Sequence, residues 1–272
     1  HFAQLLGRAV ETLPRLTINL LSGGEHAGRQ VSIQDVLIVP SSPRSVDDSL
    51  ALTHAVYHAA LDRMQREHQM RWLTADEGGL APPLENSEAM LAAAVQAIRD
   101  AGYVPGEDVH LALDIAASHF TGEGLYAFDG QSLTADQMIE QFTRWTETYP
   151  LVSLEDALGE DDWTNWPRLC EALRGRALVL GDDLLCTNPK RIERAIETGA
   201  CDALLLKVNQ VGTLTEAAEA HRLAKAAGWA VTISVRSGET EDDWAADLAV
   251  GWAGDQFKNG SITQSERLAK YN

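Results

Sequence analysis

The sequence is poor in cysteine, and its cysteines do not have the spacing of a disulfide framework or a zinc site. Only three occur among 272 residues, Cys170, Cys186 and Cys201. An odd, sparse set without metal-ligand spacing is typical of a protein in a reducing compartment. We therefore expect a cytoplasmic protein.

Basic charge and long apolar runs are also scarce. The chain has 22 lysines and arginines against 40 acidic residues, a formal net charge of -18. This balance argues against nucleic acid or an anionic membrane as the main partner, and solubility is a sufficient explanation for the acidic surplus. We find no apolar stretch of about 18 residues and no signal peptide.

No glycine-rich phosphate loop of the G-x-G-x-x-G form follows the first strand pattern, which disfavours a doubly wound open sheet. Instead, short apolar runs alternate with helical patterns, which predicts a single α/β barrel domain over residues 15–272, with residues 1–14 as a helical linker. The predicted strands lie at 16–21, 36–40, 109–114, 151–155, 177–182, 202–207, 229–234 and near 247–257. The predicted helices lie at 1–13, 45–69, 87–102, 134–148, 163–174, 189–199, 213–227 and 240–249.

Four of these apolar runs end in a charged residue. Asp114, Glu155 and Asp182 end three of them, and Lys207 ends a fourth. A buried carboxylate without a partner costs several kcal/mol, so charges that end neighbouring strands must meet a ligand or each other. Carboxylates without histidine or cysteine favour Mg²⁺ over Zn²⁺. The alternative is a buried network of ion pairs between carboxylates and lysines.

Other polar residues lie at turns between the elements. Glu77 precedes two glycines and is a candidate general acid. Lys258, like the lysine that ends a strand, is a candidate base, because a lysine near bound cations loses affinity for its proton. Arg236 and Ser237 suit a phosphate, although an ordinary helix-capping turn explains them equally well. His26 is either a loop histidine bonded to backbone or a phosphate contact or proton relay.

A divalent cation, a lysine base and a separate glutamic acid together suit one kind of reaction. They can remove a proton from the carbon next to a carboxylate and expel a leaving group from the following carbon. That proton is very weakly acidic, so the cation has to stabilise the doubly charged enediolate while the acid assists departure of hydroxide.

Eight segments of the chain resemble the enolase (phosphopyruvate hydratase) family. They are GGEHAG at 23–28, DEGG at 76–79, SLED at 153–156, GDDL at 181–184, TNPK at 187–190, LKVNQVGTL at 206–214, RSGETED at 236–242 and SERLAK at 265–270. The resemblance implies an enolase-type (β/α)8 TIM-like barrel whose first connections are antiparallel, which corrects a plain parallel reading of residues 15–40. It also implies Mg²⁺ as cofactor, a small phosphorylated carboxylate as substrate and a homodimer.

The resemblance also implies a role for each candidate residue. The metal ligands would be Asp114, Glu155 and Asp182. Lys207 would remove the α-proton, and Glu77 would protonate the departing hydroxyl group. The substrate-binding residues would be His26, Gln34, Asp35, Arg236, Ser237 and Lys258.

The chain departs from the family pattern at several positions. Val235 stands where the family has a histidine that faces the substrate, and valine can neither donate a hydrogen bond nor carry charge. Losing such a polar contact typically costs about 1 to 3 kcal/mol. Asp35 replaces a glutamate with a side chain one methylene shorter, and Asn259 replaces a threonine. The resemblance also implies an amino-terminal α+β domain with a mobile serine-bearing loop, and a final carboxyl-terminal helix, which these residues do not include. Either the sequence is a portion of a longer protein or the protein works without that loop.

Three hypotheses about function follow. The first is an enolase that interconverts 2-phosphoglycerate and phosphoenolpyruvate in glycolysis. The second is a divergent paralogue that acts on another phospho- or phosphono-carboxylate, for example in a reaction of the carboxyphosphonoenolpyruvate synthase type. The third is a non-catalytic binding or scaffold protein that retains the barrel.

Overall fold

The computed structural model of this chain describes residues 1–7, 9–41 and 44–272. Its strands, in chain order, are Arg15–Ser22 (β1), Asp35–Pro40 (β2), Val109–Asp114 (β3), Thr121–Gly122 (β4), Leu125–Phe128 (β5), Gln131–Leu133 (β6), Leu151–Glu155 (β7), Leu178–Gly181 (β8), Ala203–Leu206 (β9), Ala230–Ser234 (β10) and Gln256–Lys258 (β11).

Helices follow most of the barrel strands. They are Phe2–Leu5 (α1), Val46–His68 (α2), Ser87–Asp100 (α3), Ala135–Thr148 (α4), Trp166–Leu173 (α5), Pro189–Thr198 (α6), Val208–Val211 (α7), Leu214–Ala226 (α8), Trp244–Gly251 (α9) and Ser265–Tyr271 (α10).

Eight strands close into a barrel in the order β1-β11-β10-β9-β8-β7-β3-β2. Strand β2 pairs antiparallel with both β1 and β3, and the other barrel pairs are parallel. The predicted α/β barrel with antiparallel first connections is therefore confirmed. Strands β4, β5 and β6 form a separate antiparallel sheet that we did not predict from the sequence.

Alternation along the strands separates two buried layers. In β2, Val36 and Ile38 belong to the large core that includes the helices, whereas Leu37 and Val39 belong to a small separate cluster with Ala112 of β3. Because successive side chains of a strand point to opposite faces, the small cluster lies in the barrel interior. The residues at the carboxyl ends of β3 and β7 continue this interior face.

Two elements differ in detail from the prediction. The helix predicted at 87–102 is Ser87–Asp100, and Asn86 is its N-cap, with its side chain accepting a 2.9 Å hydrogen bond from the amide of Ala89. The strand predicted near 247–257 overlaps the end of α9, which reaches Gly251, and the strand itself is only Gln256–Lys258. Short apolar runs buried on both sides do not distinguish strand from helix.

The amino-terminal segment is less helical than predicted. Within the predicted helix 1–13, only Phe2–Leu5 is helical, Gly7 has a positive φ of 63°, and Arg8 lies outside the described residues. The first barrel strand begins at Arg15, which pairs in register with Gln256. Treating residues 1–14 as a linker stays a prediction.

Among the helices described here, none combines the length and the apolar character needed to cross a membrane.

Candidate active site

The acidic strand ends lie side by side on the interior face of the barrel. Asp114 pairs in register with Asp35 on one side and with Glu155 on the other. All three are buried, with relative exposures of 5, 0 and 2% respectively. Neighbouring buried carboxylates repel each other, so this arrangement requires positive charge close by.

Lys258 supplies that charge from β11, on the far side of the interior. Its Nζ atom lies 2.7 Å from Oδ2 of Asp114 and 2.7 and 2.8 Å from the two carboxylate oxygens of Glu155. Burial alone would raise the pKa of Asp114, but the Lys258 ammonium holds it below its usual value. Burial and the Asp114 carboxylate raise the pKa of Glu155 well above the usual range.

Lys207 follows β9 and pairs with the third carboxylate. Its Nζ atom lies 2.5 Å from Oδ2 of Asp182, and its amide donates a 2.9 Å hydrogen bond to Oγ1 of Thr187. Burial alone would lower the pKa of Lys207, but Asp182 and Glu155 raise it above its usual value. The lowered lysine pKa that we expect beside bound cations stays a prediction. In this structure both lysines form ion pairs with carboxylates.

Glu77 reaches the same end of the barrel from an irregular turn. Its Oε2 accepts a 3.1 Å hydrogen bond from Nδ2 of Asn19, and its Oε1 accepts a 2.9 Å hydrogen bond from Oγ of Ser237. The following Gly78 has φ of 87°, and a Cβ atom there would lie 2.5 Å from Oγ1 of Thr263. Only glycine fits this conformation and this space, so the glycine pair fixes the position of the carboxylate.

His26 and Asp35 form a second charged pair beside Glu77. Nδ1 of His26 lies 2.8 Å from Oδ2 of Asp35, whose Oδ1 accepts a 2.5 Å hydrogen bond from Oγ of Ser22. Burial alone would lower the pKa of His26, but the carboxylates of Asp35, Glu77 and Asp114 raise it to about 9. The histidine is therefore an imidazolium at neutral pH and donates from both ring nitrogens.

A buried arginine, Arg267, anchors the backbone of the loop after β10. Nη1 of Arg267 donates a 3.2 Å hydrogen bond to the carbonyl of Arg236, and Nη2 donates to the carbonyl of Ser237. The side chain of Arg267 is only 1% exposed. The guanidinium of Arg267 thus fixes the loop backbone, while Arg236 itself is exposed to solvent.

These residues border one cavity of about 220 Å³. The predicted site residues that line it are His26, Gln34, Glu77, Asp114, Asp182, Lys207, Arg236, Ser237 and Lys258. Asp35 and Glu155 are not among its lining residues and act through their contacts with His26 and Lys258. A larger groove of about 1050 Å³ lies between α3 and α4. It contains none of the charged strand ends, so we place the site in the smaller cavity.

The fold and the cavity can now be compared with known families. A family model described as "Enolase, C-terminal TIM barrel domain" matches residues 10–272. The chain belongs to this family. Its antiparallel β1-β2-β3 connection agrees with the barrel that the sequence resemblance implied.

Three residues of this enolase barrel have roles that sequence reasoning missed. Asp156 accepts hydrogen bonds of 3.0 and 2.6 Å from the amides of Asp182 and Asp183, and it holds them from a left-handed conformation with φ of 44°. Lys270 donates to the carbonyl of Thr240 at 2.7 Å, and Arg267 clamps the loop after β10. Asp156 follows Glu155 directly, a signal that could have been used, whereas the two basic residues lie in an ordinary helical pattern.

Val235 borders the cavity and belongs to the large apolar core, with 4% exposure. It directly follows β10, whose Val231 and Ile233 are also in that core. The residue that departs from the family pattern therefore adds an apolar wall to a polar cavity.

The donor atoms around the cavity fit a hard divalent cation. The predicted ligands Asp114, Glu155 and Asp182 offer carboxylate oxygens, and Oδ1 of Asp182 is buried with no hydrogen-bond partner among the described residues. Within the part of the chain that the structure describes, two groups of His, Cys, Asp or Glu residues have ligand atoms within 4.8 Å of one another, namely His26, Asp35 and Glu77, and Asp156, Asp182 and Asp183. The predicted trio is not one of them. Nζ of Lys258 contacts Asp114 and Glu155, and Nζ of Lys207 contacts Asp182.

Proposed function

We propose that this enolase barrel catalyses the reversible dehydration of 2-phosphoglycerate to phosphoenolpyruvate. One observation carries the proposal: a single cavity is lined by a lysine and a glutamate suited to act as base and acid, and by carboxylates suited to hold Mg²⁺. Membership of the enolase family supports a lyase of this type.

In this proposal Lys207 accepts the proton from the carbon next to the substrate carboxylate. It must first release Asp182, because an ammonium paired with a carboxylate cannot act as a base. Glu77, on its glycine turn, donates a proton to the departing hydroxyl group. Asp114, Glu155 and Asp182 would hold Mg²⁺, which would offset the negative charge that develops on the substrate carboxylate.

The remaining polar residues bind and orient the substrate. Arg236 is exposed beside the cavity, and its planar guanidinium suits a phosphate. Lys258 suits the substrate carboxylate once its ion pairs with Asp114 and Glu155 are exchanged. His26 and Gln34 line the cavity, and Asp35 supports His26 from beneath.

A second candidate function is favoured by Val235 and Asp35. Valine adds an apolar contact where the family has a histidine, and Asp35 is withdrawn from the cavity into hydrogen bonds with Ser22 and His26. Both changes alter the groups that meet the substrate and leave the candidate base and acid in place. They favour a divergent paralogue that acts on another phospho- or phosphono-carboxylate, such as a carboxyphosphonoenolpyruvate synthase type of reaction.

The experiment is a substrate-panel assay of the complete protein with Mg²⁺. The panel contains 2-phosphoglycerate, monitored by absorbance near 240 nm, and phosphono-carboxylate analogues. Turnover of 2-phosphoglycerate supports the first function, and turnover of an analogue alone supports the second. Turnover of none, with weak or no Mg²⁺ binding by calorimetry, supports the third hypothesis of a non-catalytic scaffold.

A substitution at position 235 distinguishes the two proposed enzymatic functions. If the second is right, Val235→His lowers the native activity, since it places a bulky polar ring into a cavity shaped for an apolar wall. The control is Val235→Met, which adds length without a strong hydrogen-bonding group. A rise in native activity with Val235→His would count against the divergent paralogue.

The place in glycolysis, the homodimer and the cytoplasmic location stay predictions. They rest on the family resemblance and on the cysteine content of the sequence.

A further inference from the structure

The hydroxyl group of Ser237 lies between His26 and Glu77. Its Oγ is 3.2 Å from Nε2 of His26 and 2.9 Å from Oε1 of Glu77. The direct distance from Nε2 of His26 to Oε1 of Glu77 is 4.0 Å, too long for a hydrogen bond. Among the described residues, Ser237 is therefore the group that connects His26 to Glu77 by hydrogen bonds.

His26 and Glu77 differ in their affinity for a proton. Burial alone would raise the pKa of Glu77, but His26, Lys258, Arg267 and the hydrogen bond from Ser237 lower it below its usual value. His26 faces carboxylates from β2, β3 and the glycine turn, and its pKa is raised to about 9. At neutral pH the histidine is therefore protonated and the glutamate is not.

This distribution is a difficulty for the proposed chemistry, because a general acid must carry a proton when the leaving group departs. The nearest stored proton lies on Nε2 of His26. An imidazolium donates from both nitrogens, so Nδ1 remains bonded to Asp35 while Nε2 donates to Ser237. A serine hydroxyl can accept one hydrogen bond and donate another at the same time, which is the requirement for a relay.

We propose that Ser237 relays a proton from Nε2 of His26 to Oε1 of Glu77 and so supplies the acid of the reaction. The inference rests on the proposed function and gives Ser237 a different role from the phosphate contact that the family resemblance implies.

Glu77 gives its proton to the β-hydroxyl group, the carbon–oxygen bond breaks with its electron pair on the oxygen, and water leaves. The electron pair of the α-carbon–hydrogen bond forms the double bond, and Lys207 holds the α-proton. Ser237 passes its hydroxyl proton to Glu77 and takes the Nε2 proton of His26. The imidazole ends neutral because it keeps its Nδ1 proton, which stays hydrogen-bonded to Asp35, and solvent returns a proton to Nε2.

The relay is tested by comparing two partial reactions of the complete protein with Mg²⁺. The probe is 2-phosphoglycerate deuterated at the α-carbon, or the panel substrate that is turned over, in the same labelled form. Loss of the label to water measures proton removal by Lys207. Formation of the double bond measures the elimination that Glu77 assists as the acid. We expect Ser237→Ala to lower the ratio of elimination to exchange about 100-fold with little change in KM. Ser237→Thr, which keeps the hydroxyl group, restores the ratio.

A phosphate contact gives a different result. Removing it raises KM and lowers exchange and elimination together, so the ratio is unchanged, and that outcome overturns the relay. An unchanged ratio with unchanged KM overturns it as well, because water would then supply Glu77 directly.

A second measurement does not need turnover. Nuclear magnetic resonance of the protein follows exchange of the Nε2 proton of His26 with water. We expect at least tenfold faster exchange in Ser237→Ala than in the unsubstituted protein and in Ser237→Thr. Equal exchange in all three forms overturns the relay. If no panel substrate reacts in the unsubstituted protein, the proposed function fails, and this exchange rate still decides whether the hydrogen-bonded link exists.

Discussion

The Nζ atom of Lys258 lies 2.7 Å from Oδ2 of Asp114, although 144 residues separate them in the sequence. The same ammonium group contacts both carboxylate oxygens of Glu155. One lysine therefore compensates two acidic strand ends in the interior of the barrel. Removing the lysine from this buried group is costly, because both carboxylates would lose the positive charge that compensates them.

We expect Lys258→Met to destabilise the protein by about 3 to 5 kcal/mol, since it leaves the buried carboxylates of Asp114 and Glu155 without their ammonium. The free energy of unfolding in urea measures this. The control is Lys225→Met, which breaks the half-exposed ion pair with Asp255 and should cost about 0 to 1 kcal/mol. An equal loss in the free energy of unfolding for the two variants would show that the buried ion pairs stabilise the protein no more than the half-exposed one.

Magnesium binding should distinguish two sets of ligands. We expect Asp114→Asn to raise the dissociation constant for Mg²⁺ at least about tenfold in calorimetry, because it removes a charged oxygen ligand. Asp183→Asn should change it less than threefold if the ligands are Asp114, Glu155 and Asp182. The reverse order of effects would assign the metal to the trio of Asp156, Asp182 and Asp183.

Lys207 should be indispensable for proton removal. With the substrate that the panel identifies, Lys207→Met is expected to lower kcat about 10³-fold and to abolish exchange of the α-proton, because no other base is assigned to that carbon. Lys190→Met is the control, since that lysine is exposed. Retention of α-proton exchange in Lys207→Met would require a different base.

The His26 pair predicts a dependence of stability on pH. The pKa of His26 is about 9 in the folded protein against 6.5 as its ordinary value, so folding favours the protonated ring. The stabilisation is fully present below about pH 6.5 and is lost as the pH rises through about 9, a change of up to about 3 kcal/mol. Urea unfolding between pH 6 and 10 checks this. In His26→Gln this part of the pH dependence should vanish, and its persistence would assign it to another group.

The glycine turn that carries Glu77 should not tolerate a side chain. Gly78→Ala combines a φ of 87° with a Cβ position 2.5 Å from Thr263 Oγ1, so we expect a destabilisation of about 1 to 3 kcal/mol and a lower kcat. Gly122→Ala is the matched control, because that position has open space and no positive φ. Thermal unfolding and kinetics of both variants provide the comparison.

The barrel class, the positions of most strands and helices, and nine of the residues that line the cavity could be predicted from the sequence and its family resemblance. Apolar runs such as 109–114 and 151–155 ended in a carboxylate, and parallel strands place their carboxyl ends at one edge, so convergence of Asp114 and Glu155 followed. The antiparallel start of the barrel came from the family resemblance. The boundary between α9 and β11 was misplaced, because a fully buried apolar run has no distinguishing period.

Side-chain partners depend on distances that the sequence does not contain. The chain order of the residues does not indicate that Lys258 joins Asp114 to Glu155, that Ser237 lies between His26 and Glu77, or that the buried Arg267 holds the loop beneath Ser237. The sequence by itself determined which chemical groups reach the carboxyl end of the barrel. Only the tertiary structure decided how those groups share charge and protons, since hydrogen bonds and buried ion pairs depend on differences of less than about 1 Å between groups far apart in the chain.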